Sequence, residues 1–289
     1  MNKAATIVTR LSGGLGNQMF QYAAGFALAR KLGAPLLVDR TVLDARPKHL
    51  DWTPRDLELD VLQCPVEIAP KKLVLELSAV RHPRFLYRQS LYRERGKVFQ
   101  ADLLDQEGPL MIDGYWQCER YFASIGDELR ASLFVPRAAP SAKNEDLRSE
   151  LTKAPYSSVH VRLGDYVGNS VSAAYHGALG PDYYERAMDE LRAQGVTRFM
   201  VFSDEPAKAR ERIHFPVGTI FVDHNTGRDA HWDLWLMRNC QHQIIANSSF
   251  SWWGAWLNPS PNKVVIAPKN WFAGYSGPDD IVPSTWLRR

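Results

Sequence analysis

Disulfide pairs, bilayer spans and charge bias are what this chain of 289 residues has little of. Its three cysteines, Cys64, Cys118 and Cys240, are scattered and odd in number. They have neither metal-ligand spacing nor the layout of a disulfide framework, which suits a reducing, cytoplasmic compartment. No apolar signal segment opens the sequence. The longest apolar run, near Met19 to Ala29, falls short of the roughly 20 residues that a spanning helix needs. The expectation is a soluble cytoplasmic protein, in contact with a membrane at most peripherally. Lys and Arg total 35 against 32 Asp and Glu, and the resulting net charge of +3 is too small to argue for nucleic acid. Internal repeats and low-complexity tracts are absent. So is the dinucleotide fingerprint, because the third glycine of G-x-G-x-x-G, counted from Gly14, falls at Met19.

What is present is alternation. Strand-like runs at 158–162, 199–203, 219–222, 243–246 and 264–267 are interleaved with helical patterns at 181–194, 207–213 and 232–240, which implies α/β layers on parallel sheets. The length exceeds one hydrophobic core and predicts two domains, 1–140 and 141–289. The Pro-, Ala- and Ser-containing stretch 135–144 is the linker candidate. Residues 43–99 are rich in Arg, Pro and Leu and include Arg81-His82-Pro83-Arg84-Phe85, a basic segment that suits either an anionic surface or plain solvent.

Four segments carry chemistry. Val159-His160-Val161-Arg162-Leu163-Gly164-Asp165-Tyr166 delivers a guanidinium to the end of a buried strand, where open α/β sheets bind ligands; the plain alternative is a structural ion pair. Thr6 to Leu11, followed by Gly13-Gly14-Leu15-Gly16-Asn17-Gln18 and an apolar run to Gly33, reads as strand, glycine loop and helix, with Asn17 as N-cap and Gly33 as left-handed C-cap. Its glycines allow close approach of a ligand at a helix N-terminus. Gln243-Ile244-Ile245-Ala246 empties into Asn247-Ser248-Ser249-Phe250, opening a helix whose hydroxyls and free N–H groups suit an anion; otherwise a serine merely caps the helix and Trp252, Trp253 and Trp256 fill a core. Asp233, on a helix ahead of that strand, suits the N1–H and amino donors of guanine, and Ser203-Asp204 closes another strand.

Together with Gly114-Tyr115-Trp116-Gln117-Cys118-Glu119-Arg120-Tyr121-Phe122, these segments resemble, in order and spacing, the α1,2-fucosyltransferases of glycosyltransferase family 11. The resemblance runs from Ile7 to about Phe272. It implies a GT-B architecture of two Rossmann-like domains facing across a cleft, and an inverting, metal-independent transfer of L-fucose from GDP-fucose to the 2-hydroxyl of a galactose. The acceptor would be an oligosaccharide or lipid-linked glycan, and no cofactor is implied. The donor-binding residues it implies are Gly14, Gly16, Asn17, His160, Arg162, Ser203, Asp204, Asp233, Asn247, Ser248, Ser249 and Phe250. Trp116 and Glu119 fall to the acceptor side. Arg162 matches the first arginine of the family's H-x-R-R-G-D and would neutralise the departing phosphate; Leu163 stands where the second arginine is expected. For a general base, Asp165, His176, Glu119 and Asp39 are candidates, none of them demanded by a motif, and Asp165 is taken with Arg162 as catalytic.

Two other readings stay open. Asp56-Leu57-Glu58-Leu59-Asp60 imitates an acidic metal motif, as a metal-dependent transferase of another fold would carry. A scaffold that binds a GDP-sugar or glycan without turnover is the other, and a different GDP-sugar or acceptor is a variant of the main reading.

Overall fold

The computed structural model describes residues 5–45, 55–78, 90–163 and 179–289. The catalytic candidate Asp165, the base candidate His176 and the basic segment at 81–85 lie outside the described residues.

The chain divides into two compact units, one built on Met1–His49, Thr53–Phe134 and Pro278–Ile281, the other on Val135–Gly277 and Val282–Arg289. In the first, strand β1 (Ile7–Arg10) runs into helix α1 (Leu15–Leu32) and returns as β2 (Leu36–Asp39). Small residues let α1 lie close to the sheet; a Cβ on Gly25 would stand 3.0 Å from both Thr9 and Leu36. Gly33 ends the helix at φ 60, as its position predicts. The N-cap is Gly14 and not Asn17, a correction whose cause is given with the site. Helix α2 (Lys71–Ser78) and strands β3 (Leu91–Arg93) and β4 (Leu110–Asp113) complete a parallel sheet of order β2-β1-β4-β3. Val8, Leu37, Met111, Val74 and Leu77 form a core on one of its faces.

The second unit opens with α3 (Ala142–Lys153), capped by the Ser141 hydroxyl accepting from the Asn144 N–H. This helix begins inside the expected linker. Only Asn144 among its residues is buried, so it shows none of the apolar periodicity by which a helix is read from sequence. Then follow β5 (Ser157–Val161), α4 (Pro181–Ala193), β6 (Phe199–Ser203), α5 (Pro206–Arg212), β7 (Ile220–Val222), α6 (His231–Met237), β8 (His242–Ile244), α7 (Ser249–Trp256), β9 (Val265–Ala267) and β10 (Leu287–Arg288). Every pairing in this sheet is parallel.

Its order, β10-β9-β8-β5-β6-β7, is the 3-2-1-4-5-6 arrangement of a Rossmann sheet read from β7. The direction of winding reverses between β5 and β8, the place where sheets of this order open a crevice at the carboxyl ends of their strands. Beneath it Val159, Val161, Phe199, Val201, Ile244 and Ile266 pack with Tyr184 and Leu191 of α4. Among the described residues no helix is long and apolar enough to cross a membrane.

Candidate active site

The switch point of the second sheet is where the sequence motifs converge. β5 ends at Val161 and delivers Arg162, a quarter exposed, whose Nη1 lies 3.0 Å from Oδ2 of Asp204 at the end of β6. The other oxygen of Asp204 accepts the Leu163 N–H at 2.9 Å. Asp204 thus serves both Arg162 and the Leu163 N–H. A partly exposed pair of this kind adds little stability; what it fixes is the direction of the fork.

Two residues earlier on β5, His160 is buried, and burial pushes its pKa down to about 4, with Asp204 opposing and Arg162 adding to the shift. Its imidazole is neutral near pH 7. Nδ1 is buried with no hydrogen-bond partner among the described residues, and the ring centroid lies 5.8 Å from that of Phe250. Phe250 belongs to the first turn of α7, so this contact sets the start of α7 over the end of β5. Ser248 occupies the N-cap position, yet its side chain makes no capping bond. The hydroxyls of Ser248 and Ser249 have no partner among the described residues. An N-terminus with uncapped N–H groups, two free hydroxyls and a guanidinium across the crevice can hold a diphosphate. Asn247 is buried behind it and its Nδ2 donates to the Trp271 carbonyl at 3.4 Å. Ser203 Oγ accepts the Glu205 N–H at 3.1 Å.

Asp233 sits on α6, whose Met237 lies against Gly254 of α7; a Cβ on that glycine would stand 3.0 Å away. It is buried and not solvated, and burial pushes its pKa up to about 7 against the lowering effect of a hydrogen bond from Asn225. Asn225 Nδ2 donates to its Oδ1 at 2.8 Å. Its Oδ2 makes no hydrogen bond among the described residues. Asn225 follows β7 in the polar run Asp223-His224-Asn225-Thr226. Its position past a strand's carboxyl end is the signal that could have singled it out.

The first unit differs. The N-terminus of α1 already holds an anion of the chain's own, since Glu58 Oε2 accepts the Leu15 N–H at 3.0 Å. Gln18 ties the same loop to the Gly13 and Asp56 carbonyls and accepts the Glu58 N–H. With that acceptor supplied from elsewhere, Asn17 is free to act as a bridge instead of a cap, and its Oδ1 accepts from Gln117 Nε2 at 3.0 Å. Gln21 likewise reaches the Gly114 carbonyl. The glycine loop and the 114–122 segment therefore brace each other, and the expected cradle at Gly14 and Gly16 is occupied by Glu58. The acidic stretch 56–60 has here a structural task. Glu58→Ala should cost about 1–2 kcal/mol through the lost cap, checked as a lowered midpoint in urea.

Arg10 ends β1 much as Arg162 follows the end of β5. Its Nε lies 2.9 Å from Asp39 and its Nη1 2.8 Å from Asp113. Asp39 is buried and also accepts from the Thr41 N–H and hydroxyl, so it is a structural carboxylate and not a free base. Glu119 is half-buried beside Arg130. Trp116 is fully buried against Tyr92 and Tyr121, which argues against its placement on the acceptor side. The exposed aromatic is its neighbour Tyr115, 44% exposed. Trp116 holds φ 56, and Glu94, which sequence reading passed over, accepts the N–H groups of Tyr115 and Trp116 at 2.7 and 3.0 Å. Those two bonds offset the left-handed backbone, which costs on the order of 1–3 kcal/mol.

Two parallel α/β units, the second bringing Arg162 and the N-terminus of α7 to its switch point, fit the design of a glycosyltransferase. The chain belongs to glycosyl transferase family 11, whose family model matches residues 1–286. It is 32% identical to the O-antigen biosynthesis glycosyltransferase WbnK of Escherichia coli, over 96% of this chain and 98% of that one. To an alpha-1,2-colitosyltransferase of the same organism it is 31% identical over 98% of each. Its fold is that of the solved Arabidopsis thaliana FUT1 mutant in complex with GDP, at a TM-score of 0.50 and 12% identity, covering 93% of this chain and 72% of that chain. The architecture is GT-B.

Proposed function

We propose that the second unit binds a GDP-sugar and that the chain transfers L-fucose from GDP-β-L-fucose, with inversion, to the 2-hydroxyl of a terminal galactose in a glycan. The observation that carries this reading is the crevice between β5 and β8, with Arg162 on one side and the open N-terminus of α7 on the other. Breaking the anomeric C–O bond puts negative charge on the leaving diphosphate and positive charge on the sugar. Donors already aimed at the diphosphate lower that barrier without reorganising. Arg162 supplies a fixed cation there, Ser248 and Ser249 supply hydroxyls, and the uncapped N–H groups of α7 add the positive end of its dipole. This set performs the charge neutralisation for which other transferases use a divalent ion, so turnover should need none. Asp233 takes the guanine through Oδ2, the oxygen that Asn225 does not hold.

A relative named as an alpha-1,2-colitosyltransferase, alike over the full length, supports a second donor, a colitosyl nucleotide, with the same α1,2 geometry. The test is a donor panel against a β-galactoside in excess EDTA, read as released nucleotide and as the linkage of the product. Fucosyl transfer that persists in chelator supports the main reading. Colitosyl transfer at higher kcat/KM would exchange the donor. Release that stops in chelator and returns with added divalent ion would overturn the metal-free mechanism.

A further inference from the structure

Guanine recognition through Asp233 requires a carboxylate that is ionised and fixed in direction, and a buried carboxylate by default is neither. Resting on the GDP-sugar reading above, we propose that Asn225 is the positioning residue of this site: clamped by Asn144, its amide holds one oxygen of Asp233 so that the other is presented to the base.

The amide of Asn225 is used at every atom. Its Nδ2 donates to Asp233 Oδ1 at 2.8 Å and to Asn144 Oδ1 at 3.0 Å, and its Oδ1 accepts from Asn144 Nδ2 at 3.0 Å. Turning the amide over would set its oxygen against the carboxylate and break all three bonds. The pairing with Asn144 therefore decides which end Asp233 meets. Asn144 is itself buried in the first turn of α3, and its Oδ1 is also met by His224 Nε2 at 2.9 Å, which makes that nitrogen the donor. Two residues that do not face the base thus fix the one that does. The arrangement lies just past the end of β7, on the ligand-binding edge of the sheet.

The charges around Asp233 leave this amide as its main support. Arg228 and Asp229 lie on the turn before α6, and His231, on α6 itself, is engaged with the Arg228 carbonyl. Lys143 on α3 and Asp223 act on His224. Helix α7 contributes no ionisable side chain. None of these groups shifts Asp233 appreciably; burial and Asn225 do. Burial raises the carboxyl above its ordinary value, so it is neutral on the acid side of about pH 7 and charged on the alkaline side. Affinity for guanine must then rise with pH, and loss of the Asn225 donor must move that rise to higher pH.

The experiment is isothermal titration of GDP and of ADP from pH 5.5 to 8.5, with the wild type, Asn225→Ala, Asn144→Ala and Asp233→Asn. ADP carries the same diphosphate and corrects for its titration. In the wild type the preference for GDP should grow through about pH 7, and Asp233→Asn should abolish that growth. Asn225→Ala should shift the rise upward by about one pH unit, giving roughly fivefold weaker GDP binding at pH 7 that largely recovers by pH 8.5. Asn144→Ala should shift it by less. A loss of the same factor at every pH, or no change, would show Asn225 to be structural or idle and overturn the proposal. Should Asn225→Ala fail to fold, an unshifted profile in Asn144→Ala overturns it equally. A wild type with no preference for GDP at any pH removes the GDP-sugar reading and this inference together; a selective wild type with an unshifted variant removes the inference alone.

Discussion

Arg162→Ala is expected to lower turnover with a fucosyl donor by about 100- to 1,000-fold, the usual consequence of removing one fixed donor from a developing anion. The geometry points to the upper end of that range. Arg162 is paired with Asp204, and deleting the guanidinium leaves an unneutralised carboxylate beside the departing diphosphate. Arg162→Lys should recover part of the loss, because it restores the charge but not the fork that spans two oxygens. Asp204→Asn should fall between wild type and Arg162→Ala, since the amide can still accept the Leu163 N–H but no longer steers the arginine. The measurement is kcat and KM for the donor at saturating galactoside, with the melting temperature as control. Arg162 is partly exposed, so the fold should be nearly untouched. Turnover within tenfold of wild type in a folded Arg162→Ala protein would remove the leaving-group assignment.

Trp253→Ala should be the most damaging single change to the fold, by about 3–5 kcal/mol. Its indole is fully buried and meets Trp252 at 5.0 Å and 77° and Trp256 at 5.3 Å and 81°, both edge-on. Trp286 closes the cluster against Trp252. A domain of this size typically has 5–15 kcal/mol in all, and the melting temperature should fall by roughly 6–20 °C. The loss reaches function through α7, whose open N-terminus faces the crevice and whose Gly254 packs on the helix that carries Asp233. Trp253→Phe keeps an aromatic ring in the site and should lose less than half as much. If these tryptophans stacked on a sugar or a base instead, Trp253→Ala would change ligand binding and leave the thermal transition in place.

Some of this was plain in the chain itself. Five of the six strands of the second sheet, the glycine-capped end of α1 and the arrival of Arg162 and Ser249 past strand ends follow from local rules: buried apolar runs, a left-handed cap, and residues that stop a strand. Strand β4 escaped notice because Leu110-Met111-Ile112 is three apolar residues long and lies outside any periodic pattern. Helix α3 escaped because its buried side chain is an asparagine. Trp116 was misplaced for a related reason: an aromatic next to glycine in a loop reads the same whether it faces solvent or core, and only the carboxylate of Glu94, twenty-two residues earlier, turns the backbone so that Tyr115 faces out.

The sequence alone determined the family, the α/β class and the position of each motif along its strand, because these depend on the order of residues and on interactions within a few positions. Tertiary structure decided which motif residues are engaged with the chain itself and which are left open. Glu58 reaches α1 from 43 residues away, Asp204 reaches Leu163 from 41, and Asn144 reaches Asn225 from 81. Hydrogen bonds and desolvation act through distance in space, and no local pattern records whether a carboxylate will meet a helix end, a guanidinium or an amide once the chain has closed on itself.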